Sequence, residues 1–171
     1  DNIQSVKKNY HLISSRQEHE NFVERLSKKK VVSFDTETTS LKIDEAKLLG
    51  ISFSFKANEG FYCNLSQDIN HEILNLYQPF FKSNITKIAH NLKFDLGVLY
   101  ENGIHIEGPI FDTMIAHYLI DAEQRHNLDH LSRTILKYNP IPIEDLIGEK
   151  KREQINICLL YTSDAADDDR G

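Results

Sequence analysis

The sequence has few of the features that mark secreted or membrane proteins. Its 171 residues include only two cysteines, Cys63 and Cys158, which form neither a metal-ligand spacing nor a disulfide framework and suit a reducing compartment. No apolar run approaches the length of a membrane span, and the N-terminal "DNIQSVKKNY" lacks the apolar core of a signal peptide. We therefore expect a soluble, cytoplasmic protein with no membrane partner.

An excess of positive charge is also missing. The net charge is −6, which argues against a protein that binds nucleic acid through a broad basic face. Four aspartates and one arginine in residues 158–171 contribute −3 of this charge, so residues 1–157 carry the other −3. Metal-binding carboxylates would account for such mild acidity, and bound cations would still let the protein meet phosphates.

The pattern of apolar and polar residues predicts an α/β fold. Three strands come first and should form an antiparallel meander, because "KANEG" between the second and third suits a hairpin turn. Short strands then alternate with helices, which predicts a mixed sheet that continues with parallel strands and is flanked by helices. Ser15 and Glu18 form a capping box at the first helix. The predicted strands are "VVSFDTET", "KLLGISFSF", "EGFYCNL", "KIAH" and "GPIFD", and the predicted helices are "SSRQEHENFVERLSKKK", "HEILNLYQPFFKS", "NLKFDLGVLYENG", "TMIAHYLIDA" and "NLDHLSRTILKY".

The stretch "SFDTETTSL", residues 33–41, places two acids at the end of an apolar strand. Side chains alternate along a strand, so Asp35 and Glu37 share one face. Carboxylates held this close repel each other, and either one stays protonated or a cation, usually a divalent metal ion, neutralises both. A solvated strand end with a threonine-rich turn is the alternative, and this stretch alone does not decide between the two.

A second candidate group lies in "HNLKFDLGVL", residues 90–99. Asn91 and Asp95 are four residues apart, which places them one above the other on a helix face. The helix follows a buried strand, where sheets of this class commonly carry functional groups. Taken alone, Asp95 is most simply an acid that stabilises a helix N-terminus. Asp112 after "PIF" is predicted to be the N-cap of the next helix.

Four stretches, in the order "DTETTSL", "NLKFD", "FDTMIAHYLI" and "RHNLDHL", resemble the 3′-to-5′ proofreading exonuclease domain of bacterial A-family DNA polymerases. The resemblance covers roughly residues 10–157. That family belongs to the DEDD exonucleases, whose fold is ribonuclease H-like. The resemblance implies a metal-dependent enzyme that hydrolyses phosphodiesters at DNA 3′ ends.

The resemblance also implies the catalytic groups. Asp35, Glu37 and Asp95 correspond to catalytic carboxylates that bind two Mg²⁺ or Mn²⁺ ions. Carboxylate oxygens suit these hard cations. Two ions about 4 Å apart stabilise both the attacking and the leaving oxygen when water attacks a phosphodiester in line.

The same resemblance predicts substrate contacts. Thr38, Leu41, Asn91 and Phe94 should lie along the 3′-terminal nucleotides of single-stranded or frayed DNA. Leu41 and Phe94 would then contact the terminal base, which is a sequence-tolerant form of recognition. Core packing is the alternative role for these two side chains.

One part of the family pattern is missing. The family has a fourth carboxylate in a third motif, which is Y-x-x-x-D in its tyrosine subtype, and none of the seven tyrosines is followed by Asp four residues later. His126 and Asp129 are three residues apart and do not form the H-x-x-x-x-D motif of the histidine subtype. Tyr161 and Asp164 are three residues apart and do not qualify. The segment "CLLYTSDAADDDRG", residues 158–171, resembles the translation of a transposon-end sequencing adapter. We therefore expect a truncated exonuclease domain over residues 1–157 and a non-native tail over 158–171, with a genuine acidic tail as the alternative.

The wider context also follows from the resemblance. Because the chain begins with Asp1 rather than Met, we expect it to be part of a longer bacterial protein with a polymerase domain downstream, located in the cytoplasm with the nucleoid. A ribonuclease D-like exoribonuclease shares the carboxylates and is the first alternative, although "FDTM" and "RHNLDHL" favour the polymerase family. A non-catalytic nucleic-acid-binding module is the second, and the three retained carboxylates argue against it.

Deletion of residues 158–171 should leave the melting temperature nearly unchanged. Beyond "LLY" the segment is small and acidic, and it buries too little apolar surface to offset its ordering entropy. Thermal unfolding of the full and shortened chains tests this expectation, and a large drop in the melting temperature would show that the tail belongs to the fold.

Overall fold

The computed structural model describes residues 9–68 and 70–140, which fall into two units. Residues 9–126 form the larger unit, and residues 127–140 are the described part of the other. The larger unit contains strands β1 (Tyr10–Ile13), β2 (Val31–Thr38), β3 (Leu48–Ser54), β4 (Gly60–Asn64), β5 (Thr86–Ala89) and β6 (Ile110–Asp112), and helices α1 (Arg16–Ser27), α2 (Gln78–Phe81), α3 (Leu92–Glu101) and α4 (Thr113–Ile120), with a 3₁₀ turn at Leu74–Tyr77. The other unit contains α5 (Leu128–Thr134). Among the described residues, no helix is long and apolar enough to cross a bilayer.

The six strands form one mixed sheet in the order β1-β4-β3-β2-β5-β6. β2, β3 and β4 are antiparallel neighbours, whereas β5 and β6 continue the sheet in parallel. The prediction of an antiparallel meander followed by parallel strands with flanking helices is therefore confirmed. The sequence did not predict β1, which pairs in parallel with β4 along the sheet edge. Its four residues are exposed or half-buried, so they show no buried alternation to mark a strand.

The core forms because alternate residues of the central strands face the helices. In β2, Val32, Phe34 and Thr36 are buried, while the residues between them keep solvent access. α1 covers this layer with Phe22 and Leu26, and its predicted capping box is present. The alternation that buries one face of β2 leaves the opposite face for its acidic residues.

A buried lysine holds together the segments before β5 and β6. Lys87 in β5 is fully buried, and its Nζ donates to the carbonyl oxygens of Ser83 at 2.7 Å, Ile85 at 3.0 Å and Glu107 at 2.9 Å. Burial lowers the pKa of Lys87, and the charge of Glu107 partly opposes that shift. Gly108 has a positive φ of 75°, and a Cβ there would collide with the Ser83 carbonyl. The ammonium group thus satisfies three carbonyls where two backbone segments meet.

Replacement of this amine should be costly. Lys87→Met keeps an unbranched side chain but leaves three carbonyl oxygens without their donor, so the free energy of unfolding should fall by about 3 kcal/mol or more. Lys82→Met is the matched control, because Lys82 is half exposed and pairs loosely with Glu107 at 3.7 Å. Its effect should stay below about 1 kcal/mol. Urea unfolding measures both, and equal losses would contradict the role given to Lys87.

Candidate active site

Two carboxylates of the candidate site come from β2. Asp35 and Glu37 alternate with the buried side chains of Phe34 and Thr36, so they share the face turned away from the core. Asp35 is opposite Ser52 of β3 and Glu37 is opposite Gly50, and the register becomes irregular between Glu37 and the next residue. The strand therefore presents both acids side by side, as the sequence predicted.

The third carboxylate reaches β2 because β5 ends early. β5 pairs with β2 only along residues 31–33, and the chain then turns into α3. The start of α3 lies beside the free part of β2. There Asp95 Oδ1 accepts hydrogen bonds from the backbone N–H of Thr36 at 2.9 Å and from its Oγ1 at 2.7 Å. The Asp95 carboxylate thus accepts a hydrogen bond that a carbonyl of a neighbouring strand would otherwise accept. The donor is Thr36, the residue between Asp35 and Glu37.

Thr36 was missed in the sequence analysis, although a signal was present. Val32 and Phe34 precede it on the buried face, so alternation predicts an apolar residue at position 36. A hydroxyl there requires a buried partner, and Asp95 supplies it. A polar residue at a core position between two acids is the feature that could have indicated the contact.

The pKa values of all three carboxylates are raised, and burial is the largest cause in each. Desolvation, followed by the negative charges of Asp95 and Glu37, raises the pKa of Asp35 to about 7. Desolvation and the charge of Asp95 also raise the pKa of Glu37. Desolvation raises the pKa of Asp95 against the opposing hydrogen bonds from Thr36. Protein atoms surround Asp35, yet part of its side chain is exposed, so water still reaches it. The neighbouring negative charges therefore contribute to its raised pKa together with desolvation.

The chemistry of this donor set fits a divalent cation. Three carboxylates offer hard oxygen ligands, and a cation would relieve the repulsion that raises their pKa values. Within residues 9–68 and 70–140, however, no group of three or more His, Cys, Asp or Glu side chains is already arranged to hold a metal ion. We attribute this to Asp95, whose Oδ1 is engaged by Thr36 on the buried side of β2.

Asp112 fixes the start of the helix that carries Asp95. Its carboxylate accepts hydrogen bonds from the backbone N–H groups of Met114 at 2.8 Å and Ile115 at 3.3 Å, so the predicted N-cap of α4 is confirmed. It also accepts from Asn91 at 3.2 Å and Leu92 at 2.9 Å, at the start of α3. One side chain therefore caps two helices, a role that the sequence analysis did not assign.

The predicted position of Asn91 in the helix needs correction. Asn91 is the residue before α3 and has a left-handed backbone with φ of 63°, so it does not share a helical face with Asp95. Asparagine tolerates this conformation better than most residues. Because Asp112 takes the N–H groups of Asn91 and Leu92, the helix begins at Leu92. Asn91 is exposed beside the carboxylates.

The other predicted substrate contacts lie at the end of β2 and on α3. Thr38 is half-buried, and its Oγ1 donates to the Ser40 carbonyl at 2.9 Å. Leu41 is 88% exposed, so the alternative of core packing is excluded for this residue. Phe94 is half-buried, one position before Asp95.

The mixed sheet, with an antiparallel meander that parallel strands continue, is ribonuclease H-like. The model of the 3′-5′ exonuclease family of A-type DNA polymerases matches residues 10–164, and the chain belongs to this family. The match runs past residue 157 into the segment predicted to be non-native, which lies outside the described residues.

Two bacterial proteins illustrate the relationship. The chain is 39% identical over 167 residues to DNA polymerase I of Borreliella burgdorferi, covering 92% of this chain and 18% of that protein. It is 35% identical over 152 residues to DNA polymerase I of Chloroflexus aurantiacus, covering 84% of this chain and 16% of that protein. The chain thus spans less than a fifth of the length of these relatives.

Solved structures of low sequence identity share the fold. Trypanosoma brucei RNase D in complex with RNA U12 aligns with a TM-score of 0.68 at 13% identity, covering 78% of this chain and 49% of that chain. Brucella melitensis NrnC with bound Mg²⁺ aligns with a TM-score of 0.65 at 21% identity, covering 94% of this chain and 74% of that chain. At these identities the likeness establishes the architecture and nothing further.

Removal of one carboxylate charge should stabilise the metal-free protein. The pKa of Asp35 is raised from 3.8 to about 7, so the stability linked to its protonation is present below about pH 4 and lost as the pH rises through about 7. In buffer with a chelator near pH 8, the free energy of unfolding of Asp35→Asn should therefore exceed that of the parent by about 1 kcal/mol. Solvent screening at the exposed part of Asp35 keeps this difference small. The difference should vanish near pH 4. Urea unfolding at both pH values measures it, and a destabilised variant near pH 8 would contradict the repulsion.

Proposed function

We propose that this domain removes nucleotides from the 3′ end of DNA by metal-dependent hydrolysis of the terminal phosphodiester. The observation that carries the proposal is the contact of Asp95 with Thr36, which brings a carboxylate from α3 to the pair on β2. Structural ion pairs would mix acids with bases, whereas here burial and then the charge of Asp95 raise the pKa values of Asp35 and Glu37. Such a group needs a cation, and phosphodiester hydrolysis is chemistry that cations at a carboxylate cluster support.

Asp35, Glu37 and Asp95 would hold two Mg²⁺ or Mn²⁺ ions, as the catalytic group of the domain. When bound, such ions offset the charge of the phosphate and make water a better nucleophile at neutral pH. Thr36 holds Asp95 in place through its two hydrogen bonds, and it thereby acts as a positioning residue.

The substrate that we propose is a single-stranded or frayed DNA 3′ end. The exposed Leu41 and the half-buried Phe94 would contact the terminal base, and Thr38 and Asn91 would contact the terminal nucleotides through polar groups. RNA is the alternative substrate class, in keeping with the shared fold of an RNase D. The DNA polymerase I relatives favour DNA, because they are more similar in sequence than the ribonucleases.

The same relatives support the cellular context of the proposal. We propose that the domain acts beside a polymerase domain of the same protein, in the bacterial cytoplasm with the nucleoid. Proofreading would follow from that arrangement, since an exonuclease tethered to a polymerase meets each frayed 3′ end at high effective concentration.

We further propose that the chain with this sequence is a slow nuclease. It has no Y-x-x-x-D motif, which would supply a fourth carboxylate and a tyrosine near the attacking water. Two-metal hydrolysis depends on the position of the nucleophile, and a small displacement costs on the order of 100-fold in rate. Binding of metal and DNA tolerates the loss of these groups better than catalysis does.

The test compares the chain with a version in which residues 1–157 continue into a family-like third motif. Both are incubated with Mg²⁺ and a labelled single-stranded DNA, and with RNA of the same sequence in parallel. The extended chain should shorten the DNA from its 3′ end, on the order of 100-fold faster than the unextended one. Asp35→Ala should abolish the activity of the extended chain, because it removes one of the carboxylates that would hold the cations.

Asp121→Ala is the matched control, since Asp121 is an exposed acid outside the carboxylate group, and it should retain activity. If RNA is degraded and DNA is not, the ribonuclease alternative holds. A melting temperature that Mn²⁺ raises in the parent but not in Asp95→Asn would report metal binding without relying on activity. Equal rates for the extended and unextended chains would contradict the role of the third motif.

A further inference from the structure

The loop that follows β2 is closed on itself at its base. The N–H of Thr39 donates to the Lys47 carbonyl, and the N–H of Lys47 donates back to Thr39 Oγ1, both at 3.1 Å. Inside the loop, Lys42 Nζ pairs with Glu45 Oε1 at 2.9 Å. These bonds hold residues 39–47 together as one compact element. They do not by themselves fix the direction in which the loop leaves the sheet.

A contact with α3 fixes that direction. Ile43 at the middle of the loop is half-buried against Gly97, and a Cβ on Gly97 would lie 2.5 Å from Ile43 Cδ1 and 3.4 Å from its Cγ1 and Cγ2. The Cδ1 atom at the tip of the Ile43 side chain thus occupies the space that a Cβ at position 97 would fill, and Cγ1 and Cγ2 pack around it at ordinary contact distance. Gly97 lies inside a helix, where glycine is a poor helix former, so close packing gives this position a physical reason.

The contact lies on the side of α3 that carries a predicted substrate residue. Phe94 and Gly97 are three positions apart, and residues at that spacing are neighbours on a helix surface. Leu41 is two residues before Ile43 and is 88% exposed. The packing of Ile43 against Gly97 therefore determines where Leu41 lies relative to Phe94.

We propose that Gly97 and Ile43 are positioning residues, which dock the loop of residues 39–47 on α3 and so hold Leu41 in place for the 3′-terminal base. The docking itself is a property of the fold. Its effect on DNA rests on the proposed function. Neither residue needs to touch the substrate, because the contact acts through the placement of Leu41.

The first measurement is hydrogen exchange of the full chain, followed by mass spectrometry of the peptide covering residues 39–47. Gly97→Ala should make this loop exchange about tenfold faster, because the new methyl group displaces Ile43 and opens the loop. Exchange within α3 should not become faster, because alanine is the better helix former. The double variant Ile43→Val/Gly97→Ala lacks Cδ1, the atom nearest the new methyl group, and should restore slow exchange in the loop.

The second measurement is the affinity for labelled single-stranded DNA, followed by fluorescence anisotropy with Ca²⁺ in place of Mg²⁺. Gly97→Ala should weaken binding about tenfold, and the double variant should recover it, since loss of one base contact has an effect of this order. Leu41→Ala is the matched control, because Leu41 is exposed. It should weaken DNA binding to the same extent and leave the exchange of the loop unchanged.

Unchanged loop exchange in Gly97→Ala would overturn the proposal, as would faster exchange that the double variant fails to reverse. Faster loop exchange with unchanged DNA affinity would also overturn the positioning role. If the parent chain binds no DNA, the proposed function is contradicted, and the exchange data still decide whether Gly97 and Ile43 dock the loop.

Discussion

The hydrogen bonds from Thr36 to Asp95 are the constraint on which the site depends. β2 is longer than its parallel neighbour, so part of its edge would lack a hydrogen-bonding partner. An unpaired buried N–H is costly, and the carboxylate of Asp95 removes that cost. The bond that completes the sheet is thus also the bond that brings the third acid to the other two. Sheet geometry and site geometry are set by the same short strand, β5.

Most of the fold was predictable because it follows from local patterns. The alternation in β2, the hairpin signal before β4 and the capping box of α1 each depend on residues close together in sequence. β1 was not predictable in this way. It is a short edge strand whose pairing with β4 depends on the sheet already being in place.

The site was predictable to a smaller extent, for a related reason. The spacing of Asp35 and Glu37 places them on one face whatever the tertiary structure is. The approach of Asp95 came from the family resemblance, because nothing local to α3 points to Thr36. Asp112 caps two helices, and Ile43 packs against Gly97, and both arrangements depend on contacts between segments that are distant in sequence. Periodicity carries no information on which distant surfaces meet.

β5 shows how the protein distinguishes structural from functional charge. Lys87 lies in this strand, and three carbonyl oxygens from the segments before β5 and β6 surround its ammonium group, so its hydrogen bonds are satisfied within the fold. After β5, Asp95 joins two further acids, and the pKa values of all three are raised. The fold supplies three hydrogen-bond acceptors to the buried ammonium group, whereas it places like charges beside Asp35 and Glu37, which destabilises their ionised forms. An external cation would relieve this repulsion, and this is the physical reason to place the proposed metal site at the carboxylates and not at Lys87.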